Sequence, residues 1–185
     1  MTVTTLDLKT AFVIIDLQKG LVSYPTIQPV PDVAAKASFL AKAFRERGLP
    51  VVLVNVAGRA PGRTEQPRPT QHPPTDWAEL LPELNAQESD IRVTKRTWGA
   101  FPHTDLESKL REAGVTQIVV AGVATSIGVE STAREAYGLG FNVTLATDAM
   151  TDMDEAAHEN SVQKIFPKLG ETGTVKEIVE LLDGR

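Results

Sequence analysis

Asp16 ends the run Ala11-Phe-Val-Ile-Ile-Asp-Leu17, which is short, β-branched and almost continuously apolar. A carboxylate at the end of a buried strand loses solvation, and this raises its pKa unless a cation or a donor compensates. Such a group suits general acid/base chemistry, although a structural aspartate that binds loop amides would look the same in sequence. Lys95 supplies a cation within Val93-Thr-Lys-Arg-Thr-Trp-Gly-Ala-Phe101. Two adjacent cations followed by Trp98 and Phe101 around a glycine fit a solvated turn with anchoring aromatics. They fit equally a pocket with a cation and an apolar wall. A third stretch, Gly122-Val-Ala-Thr-Ser-Ile-Gly-Val-Glu-Ser-Thr-Ala-Arg134, follows a strand candidate and opens a helix. Free amides at such an opening suit an oxyanion or a carboxylate. Gly128 falls in the first turn, where glycine costs up to about 1 kcal/mol relative to alanine. Either that cost is small so near the helix end, or the missing side chain leaves room for something else.

Four apolar runs must position these residues: Ala11 to Leu17, Val51 to Val56, Gln117 to Ala121 and Asn142 to Ala146. Runs without polar alternation suit strands buried on both faces, as in a parallel sheet covered by helices. Between them the spacing predicts helices. Asp32 to Arg47 keeps Val33, Ala37, Leu40 and Phe44 on one face, with Asp32 as N-cap and Gly48 just beyond the C-terminus. Thr104 with Glu107 forms a capping-box pattern for a helix that Gly114 closes. Further helices are predicted over Ser126 to Tyr137, Asp154 to Phe166 and Val175 to Leu182, the last opened by Thr174 with Glu177. Alternating strands and helices imply one α/β domain over residues 1–185, a three-layer α/β/α sandwich around a central, mainly parallel, Rossmann-like sheet. In such a sheet ligands sit beyond the carboxyl ends of the strands, which selects Asp16, the Val56-Ala57 turn and the Gly122 to Gly128 turn.

One segment breaks the rhythm. Residues 57–75 hold Pro61, Pro67, Pro69, Pro73 and Pro74 with Arg59, Arg63 and Arg68. The stretch is too rich in proline for a helix, and long for a plain connection. It reads as a solvated surface loop, or as a lid or subunit-contact loop whose arginines meet a substrate carboxylate.

Bulk properties narrow the function. The formal charge of −5 argues against nucleic acid or an anionic membrane as a partner. The apolar runs fall far short of the ~20 residues that span a bilayer. The first ten residues do not read as a signal peptide, so the expected location is the cytoplasm. With no cysteine there is no disulfide, thiolate metal site or thiol nucleophile.

The segments Ile15 to Gln18, Thr94 to Phe101 and Gly122 to Arg134 resemble the isochorismatase-like hydrolase family in order and spacing, and Val143 to Asp152 resembles that family's penultimate strand and turn. The resemblance covers nearly the whole chain and implies the same central parallel sheet. It implies a catalytic set at Asp16, Lys95 and position 128, with Gln18, Trp98, Phe101, Ala124 and Thr125 around the substrate. It further implies a cis peptide between Val123 and Ala124 that aims the amides of Ala124 and Gly128 into the pocket. One position departs from the pattern: glycine stands at 128, where the family's nucleophilic cysteine sits.

That departure closes the acyl-enzyme route of the amidase-type members. Ser126 and Ser131 are close in sequence but not at the aligned position, and serine would need a strong base. True isochorismatases can also lack this cysteine, and they hydrolyse a vinyl ether. By resemblance Asp16 would then protonate the enol-ether carbon while Lys95 holds it and binds an anionic substrate. Nicotinamidase-type relatives bind a metal through histidines near the second strand. Here that stretch is Asn55-Val-Ala-Gly-Arg-Ala60, and His72, His103 and His158 show no paired-ligand spacing, so no metal or other cofactor is expected. The expectation is a cysteine-independent hydrolase of a small carboxylated molecule, acting as a homo-oligomer. The alternative is a small-molecule-binding protein that has lost the reaction.

Overall fold

The apolar runs become the centre of a six-stranded parallel sheet in the computed structural model, which describes residues 3–66 and 72–184. The strands are β1 (Thr10–Ile15), β2 (Val51–Val56), β3 (Ile91–Lys95), β4 (Gln117–Val123), β5 (Asn142–Thr151) and β6 (Glu171–Gly173), in the order β3-β2-β1-β4-β5-β6. Every residue of β1 and β4 is buried, as continuous apolar runs require of strands covered on both faces.

Alternate residues of β1 enter two separate cores. Phe12 and Ile14 join Val33, Leu40 and Phe44 of α1 (Val30–Glu46) and Ile178 of α6 (Val175–Asp183). Ala11, Val13 and Ile15 join Leu106 and Leu110 of α2 (Leu106–Glu112), Ala133 and Ala136 of α3 (Glu130–Gly138), and Phe166, which opens α5 (Phe166–Leu169). The result is the three-layer sandwich. Each fully buried Leu, Ile or Phe in these layers contributes about 2 kcal/mol of transfer free energy, so the layers hold the sheet's carboxyl edge firmly.

The strand order reverses between β1 and β4, and their carboxyl ends form the crevice where such sheets bind ligands. Ile15 lies in register with Gly122 across that pair. Gly122 has φ +122°, and a Cβ there would stand 2.0 Å from the Ile15 carbonyl oxygen, so only glycine lets the strands approach at this point.

Several expected boundaries moved. The helix read from Asp32 begins at Val30, because Pro31 suits a first turn and Pro29 takes the capping position; Asp32 lies in that first turn. The Thr104/Glu107 capping box does not form. Thr104 Oγ1 instead donates to the Ala100 carbonyl (2.6 Å), and the helix starts at Leu106 behind Asp105. The helix expected from Ser126 opens with a π-helical turn, Thr125–Val129, before α3. The one expected over Asp154 to Phe166 is α4 (Glu155–Asn160), a π-helical turn at Ser161–Ile165 and then α5. Gly48 and Gly114 follow their helices with φ +63° and +70°, and Thr174 with Glu177 forms a complete capping box. Strands β3 and β6 were not among the four runs.

Candidate active site

Asp16 leaves β1 with φ +52°, a left-handed conformation that aspartate tolerates better than most residues. Its amide donates to the Val54 carbonyl of β2 (2.9 Å) and its carbonyl accepts from the Gln18 amide (2.9 Å), so the turn is held on both sides. The carboxylate meets Lys95, the last residue of β3, with Nζ 2.7 Å from Oδ2. Both side chains are buried, at 2% and 7% exposure for Lys95 and Asp16. Lys95 Nζ also donates to the Thr97 carbonyl (3.1 Å). Asp16 Oδ1 is buried without a hydrogen-bond partner among the described residues. Burial pushes the Asp16 pKa up from 3.8 to about 6, against the opposing charge and hydrogen bond of Lys95.

Gly128 lies in the π-helical turn beside this pair. A Cβ there would stand 3.3 Å from Asp16 Oδ2, 3.2 Å from the Val123 carbonyl oxygen and 2.9 Å from Ile15 Cγ2. Any side chain at 128 would therefore touch the aspartate. The turn starts from a cis peptide between Val123 and Ala124, and the Ala124 carbonyl accepts from the amides of Ile127 and Val129, both at 3.1 Å. Buried Asp152 fastens the turn from β5's side, accepting from Ser126 N (2.7 Å), Ser126 Oγ (2.8 Å) and Met153 N (2.8 Å). Thr125 is buried with its hydroxyl 2.9 Å from His158 Nδ1.

Residues 10–177 match the Isochorismatase domain. The chain belongs to the isochorismatase family. It is 44% identical over 179 residues to the uncharacterized isochorismatase family protein YwoC of Bacillus subtilis strain 168, covering 93% of each chain. Nicotinamidase 3 of Arabidopsis thaliana is 37% identical over 93 residues, 49% of this chain and 47% of its own length. The solved structure of an isochorismatase family protein from Burkholderia thailandensis superposes with a TM-score of 0.93 at 41% identity, covering 97% of this chain and 98% of that one. The family is one of hydrolases, and the six-stranded parallel sheet is its fold.

The fold thus brings Asp16, Lys95 and Gly128 together, with Ala124 and Thr125 in the adjoining turn. Three other residues expected around the substrate are placed differently. Gln18 is fully buried. Its amide donates to the carbonyls of Val56 and Trp77 (both 3.1 Å) and accepts from Val56 N (2.8 Å), so it ties β2 to the 77–80 segment. Phe101 is 8% exposed and stacks on Phe141 at 6.0 Å, within the core between the sheet and α2–α3. Trp98 is 67% exposed. In the proline-rich segment, residues 59–66 and 72–75 are exposed, while Pro67, Arg68 and Pro69 lie outside the described residues. Among the described residues no group of three His, Asp or Glu side chains is arranged to hold a metal, and no helix is long and apolar enough to cross a membrane.

Sequence reading missed two residues that build the site from α3. Thr132 Oγ1 donates to the Gly128 carbonyl (2.7 Å) and accepts from Ala100 N (3.2 Å). Glu135 accepts from Phe101 N (3.3 Å). The available signal was spacing: positions 128, 132 and 135 share one helical face, so polar residues at the latter two point where Gly128 points.

Proposed function

We propose that the protein hydrolyses a small carboxylated molecule without a covalent acyl-enzyme, by vinyl-ether hydrolysis of the isochorismate type. The observation that carries this reading is Asp16: a buried acid with one oxygen on Lys95, the other without a partner among the described residues, and a pKa of about 6. Near neutral pH a useful fraction is protonated, as a proton donor requires. The Asp16 carboxyl transfers its proton to the terminal enol-ether carbon, and the ether-bearing carbon becomes oxocarbenium-like. Water adds there and returns a proton to the Asp16 carboxylate. The resulting hemiketal breaks its bond to the ring oxygen, releasing pyruvate and the ring alcohol. Lys95 holds the aspartate and favours an anionic substrate, as do Arg59 and Arg63 of the exposed loop. Glycine at the position of the family's cysteine removes the nucleophile next to Asp16. This chemistry needs no metal or organic cofactor, and the same reading has the protein acting in the cytoplasm as a homo-oligomer.

The test is pyruvate release from isochorismate by purified protein, followed through lactate dehydrogenase. No release would reject the substrate. An Asp16→Asn variant that still binds the substrate but turns it over normally would reject the acid. Tight binding by the unmodified protein with no turnover would favour the non-catalytic alternative.

A further inference from the structure

Neutralising Asp16 raises a question of charge that the acid role must answer. Lys95 is 2% exposed, and a buried ammonium whose contacting carboxylate becomes neutral is costly. A second carboxylate stands on the other side of the lysine's loop. The Glu135 side chain, from α3, lies where a Cβ of Gly99 would be, its carboxyl atoms 2.0–2.2 Å from that position. Its Oε2 accepts from Phe101 N, and Thr97, whose carbonyl takes Lys95 Nζ, donates through Oγ1 to the Gly99 carbonyl (2.9 Å). Glycine at 99 is thus the space in which Glu135 sits against the segment that wraps the ammonium.

We infer that Glu135 is a positioning residue, a second counter-charge for Lys95 that lets Asp16 become neutral without leaving the buried ammonium unbalanced. Lys95 then serves two carboxylates, and through it the charge of one bears on the ionisation of the other. Burial raises the Glu135 pKa while the Phe101 amide and the Lys95 charge lower it, in keeping with a carboxylate that feels the lysine. Other charges are engaged elsewhere. Strands β2 and β4, which flank β1, carry no titratable side chain. Arg96 donates to the Ala57 carbonyl, Arg134 pairs with Glu130, Asp152 holds Ser126, His158 meets Thr125, and His103 is exposed in the turn after Phe101.

The inference rests on the acid role of Asp16 but is tested without substrate, by ¹³C NMR titration of the side-chain carboxyls in the full chain. In Glu135→Gln the Asp16 midpoint should fall by about one pH unit, because a like charge has been removed. Glu135→Asp, which keeps the charge, should restore at least half of that shift; a purely structural role would not distinguish the two. An Asp16 midpoint that stays put in Glu135→Gln overturns the inference. Should that variant not fold, the unmodified protein decides: each of the two carboxyl carbons should report both titration steps, and a single-step Asp16 curve overturns it. Coupled titrations without pyruvate release would leave this inference standing and reject only the proposed reaction.

Discussion

A carboxylic acid that donates its proton near neutral pH needs surroundings that disfavour its anion, and Asp16 has them in spite of its lysine. Its folded pKa of about 6 lies above the ordinary 3.8, so the folded protein binds the extra proton between those values. Stability from this group is therefore fully present below pH 3.8 and is lost as pH rises through about 6, a change of about 3 kcal/mol. Urea denaturation across that range should show the slope, and Asp16→Asn, which carries no titrating proton there, should abolish it. Catalysis follows the same sign: kcat/KM should fall as pH rises through about 6, approaching a tenfold loss per further unit. A rate that instead climbs with pH would assign Asp16 the role of base. The glycine gives a second prediction. Gly128→Cys would restore a thiol beside Asp16, but Ile15 Cγ2 lies 2.9 Å from the new Cβ and, being on a β-branched side chain, has little freedom to yield. The variant should lose about 1–3 kcal/mol from overpacking, read by thermal unfolding. Combined with Ile15→Ala, the two losses should sum to more than the double variant shows. Amide or ester hydrolysis should appear in Gly128→Cys; complete inertness of a folded variant would count against an intact catalytic framework.

At the scale of elements, the site depends on how the turn after β4 is tied to its neighbours. Asp152 accepts three short bonds from Ser126 and Met153, and Asp152→Ala would leave those half-buried donors without their partner. A loss of about 3 kcal/mol is expected in urea denaturation, with reduced turnover even where the fold survives. Such ties were illegible in the sequence because Asp152 and Ser126 lie far apart in the chain. The central strands were legible for a physical reason: buried on both faces, β1, β2 and β4 must be apolar almost throughout, and the first half of β5 shares the pattern through Val143, Leu145 and Ala146. Edge strands need not be. In β3, Arg92 and Thr94 alternate with Val93 and Lys95, and the lysine at its end looked like part of a turn. β6 is three residues, Glu-Thr-Gly, with no apolar signature at all. The π-helical turn was equally hidden, since Thr125–Val129 carries the same residues that an α-helical start would accept. Asp16 stood out because a charge ends a buried apolar run, whereas Lys95 was set beside it only by the family's pattern. The contacts of Gln18 and Phe101 were not legible, since nothing in the sequence marks an amide bonded to the backbone of Val56 and Trp77 or an aromatic stacked on Phe141.

At the scale of the whole molecule, four exposed apolar side chains stand near the carboxyl rim of the sheet. Val22, Tyr24 and Ile27 follow the Asp16 turn and are each 41–43% exposed. Ile27 N bonds the Asp152 carbonyl, so this segment adjoins Met153, itself 41% exposed. Apolar side chains grouped at one rim mark an association surface more often than scattered ones do. A symmetric pair of such rims would be self-complementary, as a two-fold interface between identical chains demands. Light scattering at micromolar concentration should therefore give a multiple of 20.0 kDa. Ile27→Asp, which would bury an unpaired carboxylate in the contact, should shift the population toward monomer. A monomer in the unmodified protein would overturn the homo-oligomer. Dissociation in Ile27→Asp would leave the Asp16 titration as the check on whether the rim also shields the acid. Asp16 is already buried in the single chain, so its midpoint should stay near 6 in the monomer, and a fall toward the ordinary 3.8 would show that the contact between copies shields it.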